Sequence, residues 1–312
     1  MHNKVEHFVS HYLSLINCKE LADTCPSVDN LAKIMGNHLY NIHFNGFFFL
    51  NMDISVIELE PHKLLYNQLG NHQGGICFEL HSALHELLKH LGYKAHLVEV
   101  MMDHINDMEL PSYDVATHSV IIVELDDEKY LVDIAMGNYL HQPVAFSKEH
   151  QEYTGKYRVI TIDESSQAFQ LVRFSNKHQQ WLSQYRFSII DKHPIDFMSN
   201  LEKICHKEFN FYYAKEFFMI KLYAHDNYEV IDGADGKKLV WINNTPNRKE
   251  RKKLVLDEDL ARQMLTEKFH MKAEHIDTVL SQCKVKTNIE KTQPDSLLKI
   301  LWNLIRKYIP GT

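Results

Sequence analysis

Apolar residues recur at helical spacing through most of the first 92 residues. Phe8, Val9, Tyr12, Leu13 and Ile16 make one stripe, and Val28, Leu31, Ile34 and Met35 make a second, with Asp29 and Asn30 near its start. A third stripe, Phe78, Leu80, Ala83, Leu84, Leu87, Leu88 and Leu91, opens at Cys77 and is stopped by Gly92. The pattern predicts a helical domain over 1–92. Residues 46–57, Gly-Phe-Phe-Phe-Leu-Asn-Met-Asp-Ile-Ser-Val-Ile, have no clean period and read as a buried turn or short strand.

From Tyr93 the period shortens. Segments 95–101, 118–125 and 130–134 are short and rich in Val and Ile, and the last two flank Asp126-Asp127-Glu128-Lys129, a hairpin-type turn. Segments 144–146, 157–162 and 169–173 continue the series, which predicts an antiparallel β domain of barrel or sandwich form over 93–194. Over 195–285 the types mix. Segments 197–209 and 257–269 read as helices and 217–222, 228–231 and 238–242 as strands, a small α/β domain. Arg248, Lys249, Arg251, Lys252 and Lys253 fall on a connection before its last helix, where a basic run is a solvated loop or an anion contact. Beyond Pro294, in the extension 286–312, residues 295–309 predict a basic amphipathic helix that packs on the body.

Composition narrows the function classes. A chain of 312 residues, 45% hydrophobic and 24% charged, can bury a large core, and a formal charge of −7 argues against a nucleic-acid-binding body. Five cysteines without a CxxC pair suggest neither a disulfide framework nor a zinc ribbon, so reduced thiols in a cytoplasm are expected. The charged start Met-His-Asn-Lys-Val-Glu-His does not read as a signal peptide, and no stretch is apolar for the ~18 residues a membrane span needs.

Residues 71–81, Asn-His-Gln-Gly-Gly-Ile-Cys-Phe-Glu-Leu-His, hold the candidate chemistry. They set Cys77 where two glycines hand over to a helix. The first turn of a helix offers free N–H groups and the positive end of the dipole, which favour thiolate over thiol. Gly74 and Gly75 leave room for another backbone or a ligand beside the sulfur. The alternative for Cys77 is a small buried hydrophobe. His118 opens one β segment and Asp133 closes the next, so pairing of the two as a hairpin brings imidazole and carboxylate together. Such a pair is what a cysteine nucleophile needs: the imidazole takes the thiol proton and the carboxylate orients and stabilises the charged ring.

On these residues the chain resembles the arylamine N-acetyltransferases. That family's Arg-Gly-Gly-x-Cys-x-Glu is matched by Gly74, Gly75, Cys77 and Glu79, and its strand-opening His and its Asp by His118 and Asp133, in the same order. The resemblance covers roughly residues 5–275. It implies an α+β fold with an N-terminal helical bundle, a central antiparallel β-barrel and a C-terminal α/β lid around a cysteine-protease-like Cys-His-Asp core. It also implies transfer of an acetyl group from the co-substrate acetyl-CoA to Cys77, and then to an arylamine, arylhydrazine or arylhydroxylamine. By position it places Phe49, Thr117, Met136 and Gly137 at the substrate and CoA cleft. It implies no metal.

Three departures stand out. The family's Arg before the glycines is Gln73 here, the Glu of its upstream Phe-Glu-Asn-Leu is Leu50, and its Gly-Phe-Gly turn after the Asp is Ile134-Ala135-Met136-Gly137. Losing both charges of a buried pair together costs less than losing one, which can cost several kcal/mol. Two other classes stay open. One is a soft-metal site on Cys77, His81 and His85, four residues apart on one helix face, although both histidines also suit an ordinary polar face. The other is a catalytically weak binding protein on the same fold, with an amide synthase as the variant within the enzyme class.

Overall fold

The computed structural model describes residues 2–105, 107–136, 140–152, 154–224, 227–244 and 251–285. Gly137 and the helix expected over 295–309 lie outside them. In chain order the first part holds α1 (His2–Leu15), α2 (Val28–Asn41), β1 (Phe44–Asn45), α3 (Phe47–Asn51), α4 (Pro61–Asn67) and α5 (Cys77–His90). Next come β2 (Lys94–Met102), β3 (His104–Ile105), β4 (Met108–Glu109), β5 (His118–Leu125), β6 (Glu128–Val132), β7 (Val144–Ala145), β8 (His150–Glu152), β9 (Gly155–Asp163), β10 (Ala168–Ser175) and β11 (Gln180–Ser188). The last part holds α6 (Phe197–Cys205), β12 (Glu216–Ala224), β13 (Asn227–Ala234), β14 (Val240–Asn244), β15 (Arg251–Val255), α7 (Glu258–Glu267) and α8 (Ala273–Gln282).

Helix starts follow local chemistry. Ser27 caps α2 by accepting the Asn30 N–H at 3.1 Å, and Asp257 caps α7 by accepting the Leu260 N–H at 2.9 Å. Pro61 opens α4, where its missing N–H costs nothing, while the Glu60 carboxylate accepts from His62 and Lys63. Residues 46–57 form α3 and a single 3-10 turn at Ile54–Val56, where a buried turn or short strand was expected. Phe47, Phe48, Phe49 and Leu50 are all buried, and a helix covered on every side shows no period to read.

Eight strands form one antiparallel sheet in the order β7-β6-β5-β2-β11-β10-β9-β8, and β7 approaches β9 so that the sheet curls into a nearly closed barrel. The β5–β6 hairpin turns on two residues rather than four, because Asp126 and Asp127 both take left-handed φ, 50° and 61°. The second sheet runs β1-β12-β13-β14-β15, so a strand from the helical region pairs with the C-terminal ones. Arg251, Lys252 and Lys253 lie on β15, at the edge of that sheet, and not on a connection. The exposed Lys253 suits an edge that must not pair further, while Arg248 and Lys249 lie outside the described residues.

A single core runs from Phe8 and Leu31 through Leu84, Leu97 and Ile121 to Tyr185 and Phe197, so helices and barrel share their packing. A smaller one gathers Phe47, Leu50, Phe217 and Phe269 under the second sheet. Helix α5 packs on α1, α4, β2 and β5, between the helices and the barrel. No described helix is long and apolar enough to cross a membrane.

Candidate active site

Cys77 is the first residue of α5, after an extended Ile76 at the N-cap. Glu79 builds that start: its Oε2 accepts the Ile76 N–H at 2.9 Å, and its Oε1 accepts the Glu58 N–H at 3.1 Å and the Gln68 amide at 3.3 Å. Burial pushes the Glu79 carboxyl up to about 7 against these three donors. Gly74 is obligatory: its φ is +65°, and a Cβ there would lie 2.2 Å from the His43 carbonyl oxygen. The space beside Gly74 is filled by the backbone and ring of His43, and that beside Gly75 by the side chains of Glu79 and Leu80. Asn45 N–H donates to the Gly75 carbonyl at 2.9 Å, and the Asn45 amide to the Gln73 carbonyl at 2.8 Å.

The hairpin delivers the other two groups. Its last paired residues are Ile121 and Val132, so His118, first residue of β5, faces the chain just past β6. Asp133 lies there, immediately after the strand rather than within it. His118 Nε2 donates to Asp133 Oδ2 at 3.0 Å, and the Cys77 thiol is a further hydrogen-bonding neighbour of the ring. Burial alone would lower the His118 pKa; the Asp133 charge and hydrogen bond, then the Cys77 sulfur, reverse this and hold it at about 10. For Asp133, burial opposes ionisation, and the charge and hydrogen bond of His118 pull the carboxyl well below the usual range.

Four residues complete the surroundings of this trio. Tyr185, fully buried on β11, donates its hydroxyl to Asp133 Oδ2 at 3.0 Å, and the Ala135 N–H donates to Oδ1 at 3.1 Å. His81 Nδ1 donates to the Cys77 carbonyl at 2.9 Å, while its Nε2 accepts the Ile134 N–H at 3.0 Å and lies 3.4 Å from Asp133 Oδ1. A ring nitrogen that accepts an N–H carries no proton, so His81 is neutral, in keeping with a pKa lowered chiefly by burial. His81 therefore ties the nucleophile's helix to the loop that carries Asp133. Tyr213 is close enough for the Cys77 charge to act on it, and its ring meets Phe49 at 5.6 Å.

The remaining residues singled out by sequence fall as follows. Phe49 is buried and its ring also meets Phe211 and Phe218, both at 5.7 Å. Thr117 is half-buried, and its N–H donates to the Val100 carbonyl at 3.2 Å, so it is not a free donor. Met136 is half-buried against the main core, and Gly137 lies outside the described residues. The polar face expected for His81 and His85 does not exist: both are buried, because α5 is covered by helices on one side and the barrel on the other. His85 Nε2 bonds to the Ala95 carbonyl at 3.1 Å, so backbone groups engage both rings that the soft-metal reading required. Spacing in the sequence flagged His81 but for that wrong role; nothing in the sequence flagged Tyr185 or Tyr213.

A family model described as N-acetyltransferase matches residues 27–278. The chain is 31% identical over 122 residues to a probable arylamine N-acetyltransferase of Dictyostelium discoideum, covering 38% of this chain and 40% of that protein. It is 28% identical over 165 residues to the proansamycin X synthase of Amycolatopsis mediterranei, covering 52% and 61%. These matches thus span about two fifths to three fifths of the relatives' own lengths. An arylamine N-acetyltransferase from Bacillus cereus, described as having a unique Cys-His-Glu catalytic triad, shares the fold with a TM-score of 0.69 at 20% identity, over 85% of this chain and 98% of that one. With the family match taking in Cys77, His118 and Asp133 together, the chain belongs to the arylamine N-acetyltransferase family.

Proposed function

We propose that the chain is an acetyl-CoA-dependent N-acetyltransferase that passes an acetyl group through a thioester on Cys77 to the nitrogen of an arylamine, arylhydrazine or arylhydroxylamine. One observation carries this: a buried imidazole bonded to a carboxylate on one nitrogen also borders the thiol that opens α5. Nε2 is held by Asp133, so Nδ1 is the nitrogen left for the sulfur. His118 takes the thiol proton and Asp133 stabilises the resulting imidazolium. The thiolate attacks the acetyl carbonyl, the C–S bond to CoA breaks, and the imidazolium returns its proton to the departing CoA thiolate. The amine nitrogen then attacks the acetyl-cysteine, His118 accepts the amine proton, and the Cys77 thiolate leaves. The N–H of Cys77, in the first turn of α5, is the backbone donor assigned to the oxyanion, whereas Thr117 has spent its own on Val100. Tyr213, near the sulfur, and Phe49, whose ring meets it, offer aromatic faces that suit a planar acceptor.

Incubation with acetyl-CoA in the absence of amine should add one acetyl group, about 42 Da, to Cys77, as a covalent intermediate requires. A panel of aromatic amines and hydrazines should then discharge it. An unmodified Cys77 would overturn the proposal and leave a binding protein on the fold. The similarity to a proansamycin X synthase supports a second reading, in which another acyl thioester is the donor. Faster loading from longer acyl donors than from acetyl-CoA would favour it.

A further inference from the structure

A second constellation lies at the far end of α5. Glu86 and His90 stand one turn apart on that helix, and His62 on α4 faces them, with one ligating atom of each within 4.8 Å of the others. His90 Nε2 is 2.9 Å from Glu86 Oε1, yet the atom is buried and makes no hydrogen bond, so the approach is out of line for an N–H donor. Among the described residues the His62 ring makes no hydrogen bond either. It packs on Phe8 at 4.5 Å, and the fully buried Phe8 ring also meets His90 at 5.9 Å. Two imidazoles and a carboxylate, braced on an apolar floor and half-open to solvent, thus converge with unused nitrogen lone pairs.

We propose that His62, Glu86 and His90 bind one divalent cation of the zinc class. Imidazole and carboxylate donors suit Zn2+, Co2+ and Ni2+, and three protein ligands leave a fourth position for water. Two ligands at about 2.0–2.1 Å from a tetrahedral ion stand ~3.3–3.4 Å apart, so the Glu86 and His90 atoms, now 2.9 Å apart, need only a small opening and the His62 ring a turn toward them to close the set. Glu86 and His90 follow Cys77 by nine and thirteen residues, about 14 and 20 Å along the helix, so the ion would not touch the thiol. Its effect would be to clasp α4 to α5. A plain i,i+4 ion pair between Glu86 and His90 is the competing account, and it gives His62 no part.

The test uses the full chain, stripped with a chelator and titrated with Co2+ and Zn2+, reading visible absorption of the cobalt form, calorimetric stoichiometry and melting temperature. Expected are a cobalt spectrum of low coordination number, a metal-dependent rise in melting temperature, and weakening on the order of 100-fold in His62→Ala and in Glu86→Gln. Acetyl transfer without metal should be unchanged in both variants. The His62 side chain is half-exposed and makes no hydrogen bond among the described residues, and the backbone N–H that Glu60 caps is kept in alanine, so its loss leaves the fold intact, and circular dichroism checks this. Unaltered affinity in His62→Ala, or binding that disappears in Cys77→Ala instead, would place any metal elsewhere and overturn the proposal.

Discussion

Replacing Asp133 with Asn removes one charge from the centre of the site and keeps its shape. Asp133 accepts from His118, Tyr185 and the Ala135 N–H, with His81 Nε2 nearby. An asparagine can keep the Ala135 bond with its oxygen, which turns its amide donors toward Nε2 of His118. That nitrogen must then accept, the ring proton moves to Nδ1, and the nitrogen needed by the thiol is already protonated. The charge adds a second effect. The rise of His118 from 6.5 to about 10 corresponds to on the order of 5 kcal/mol of preference for the charged ring, shared with its partners. Losing most of it should slow acetylation of Cys77 by about three to four powers of ten, as in other triads that lose this group.

The assay is single-turnover loading by acetyl-CoA followed by mass, with circular dichroism as a check on folding. A folded Asp133→Asn protein that loads within about tenfold of wild type would refute the triad. Stability supplies an independent reading. His118, with its raised pKa, contributes stability fully below pH 6.5 that is lost as pH rises through about 10. Asp133, with its depressed pKa, contributes stability above pH 3.8 that is lost as pH falls further. The melting-temperature gap between wild type and variant should therefore be widest near pH 4 to 6.5 and shrink toward pH 10.

Tyr185→Phe removes one hydrogen bond to a buried carboxylate; it should cost about 1.5–3 kcal/mol of stability and slow turnover with the Michaelis constant little changed. An equal loss with Tyr185 replaced and Asp133 already neutralised would show that the two do not act together. His81→Ala breaks the tie between Cys77 and Ile134, and the turnover number should fall. His81→Asn, which can both donate and accept there, should recover part of it, and equal rates for the two would deny His81 its positioning role. Asp232 is pushed up to about 8 by burial and then by Glu216, so its contribution to stability is full below pH 3.8 and lost as pH rises through about 8. Asp232→Asn should flatten the fall in melting temperature between pH 5 and pH 9, leaving the parts due to His118 and Glu79; an unchanged slope would exclude Asp232 as a cause. Leu50→Glu places a charge in the core beside Phe47 and Phe217 and should cost several kcal/mol, read by urea denaturation.

The sequence was most legible where one physical constraint acted alone. A stripe with a glycine stop gave the extent of α5, and a hairpin with a fixed register put His118 beside Asp133. Legibility failed where burial came from all sides. Residues 47–50 carry no period because every face of α3 is covered, and the polar positions of α5 suggested a solvated side that the barrel in fact occupies. Tyr185 reaches Asp133 through the pairing of β11 with β2, a contact between residues far apart in the chain that no local pattern encodes.

The motif's lost charges can be understood from the same geometry. Leu50 packs in the core with Phe47, Phe217 and Met219, so a glutamate there would need a buried cation that Gln73 cannot supply. Glu79 remains without an arginine before the glycines, and it is satisfied by the N–H groups of Ile76 and Glu58 and by the Gln68 amide. These donors serve the ionised carboxylate, while burial favours the neutral acid; the balance near pH 7 follows from that competition. The turn that presents Cys77 is thus held by hydrogen bonds from main-chain N–H groups and an amide. Such a turn needs no arginine to keep its shape, which is why Gln73 is compatible with an intact Cys77, His118 and Asp133 arrangement.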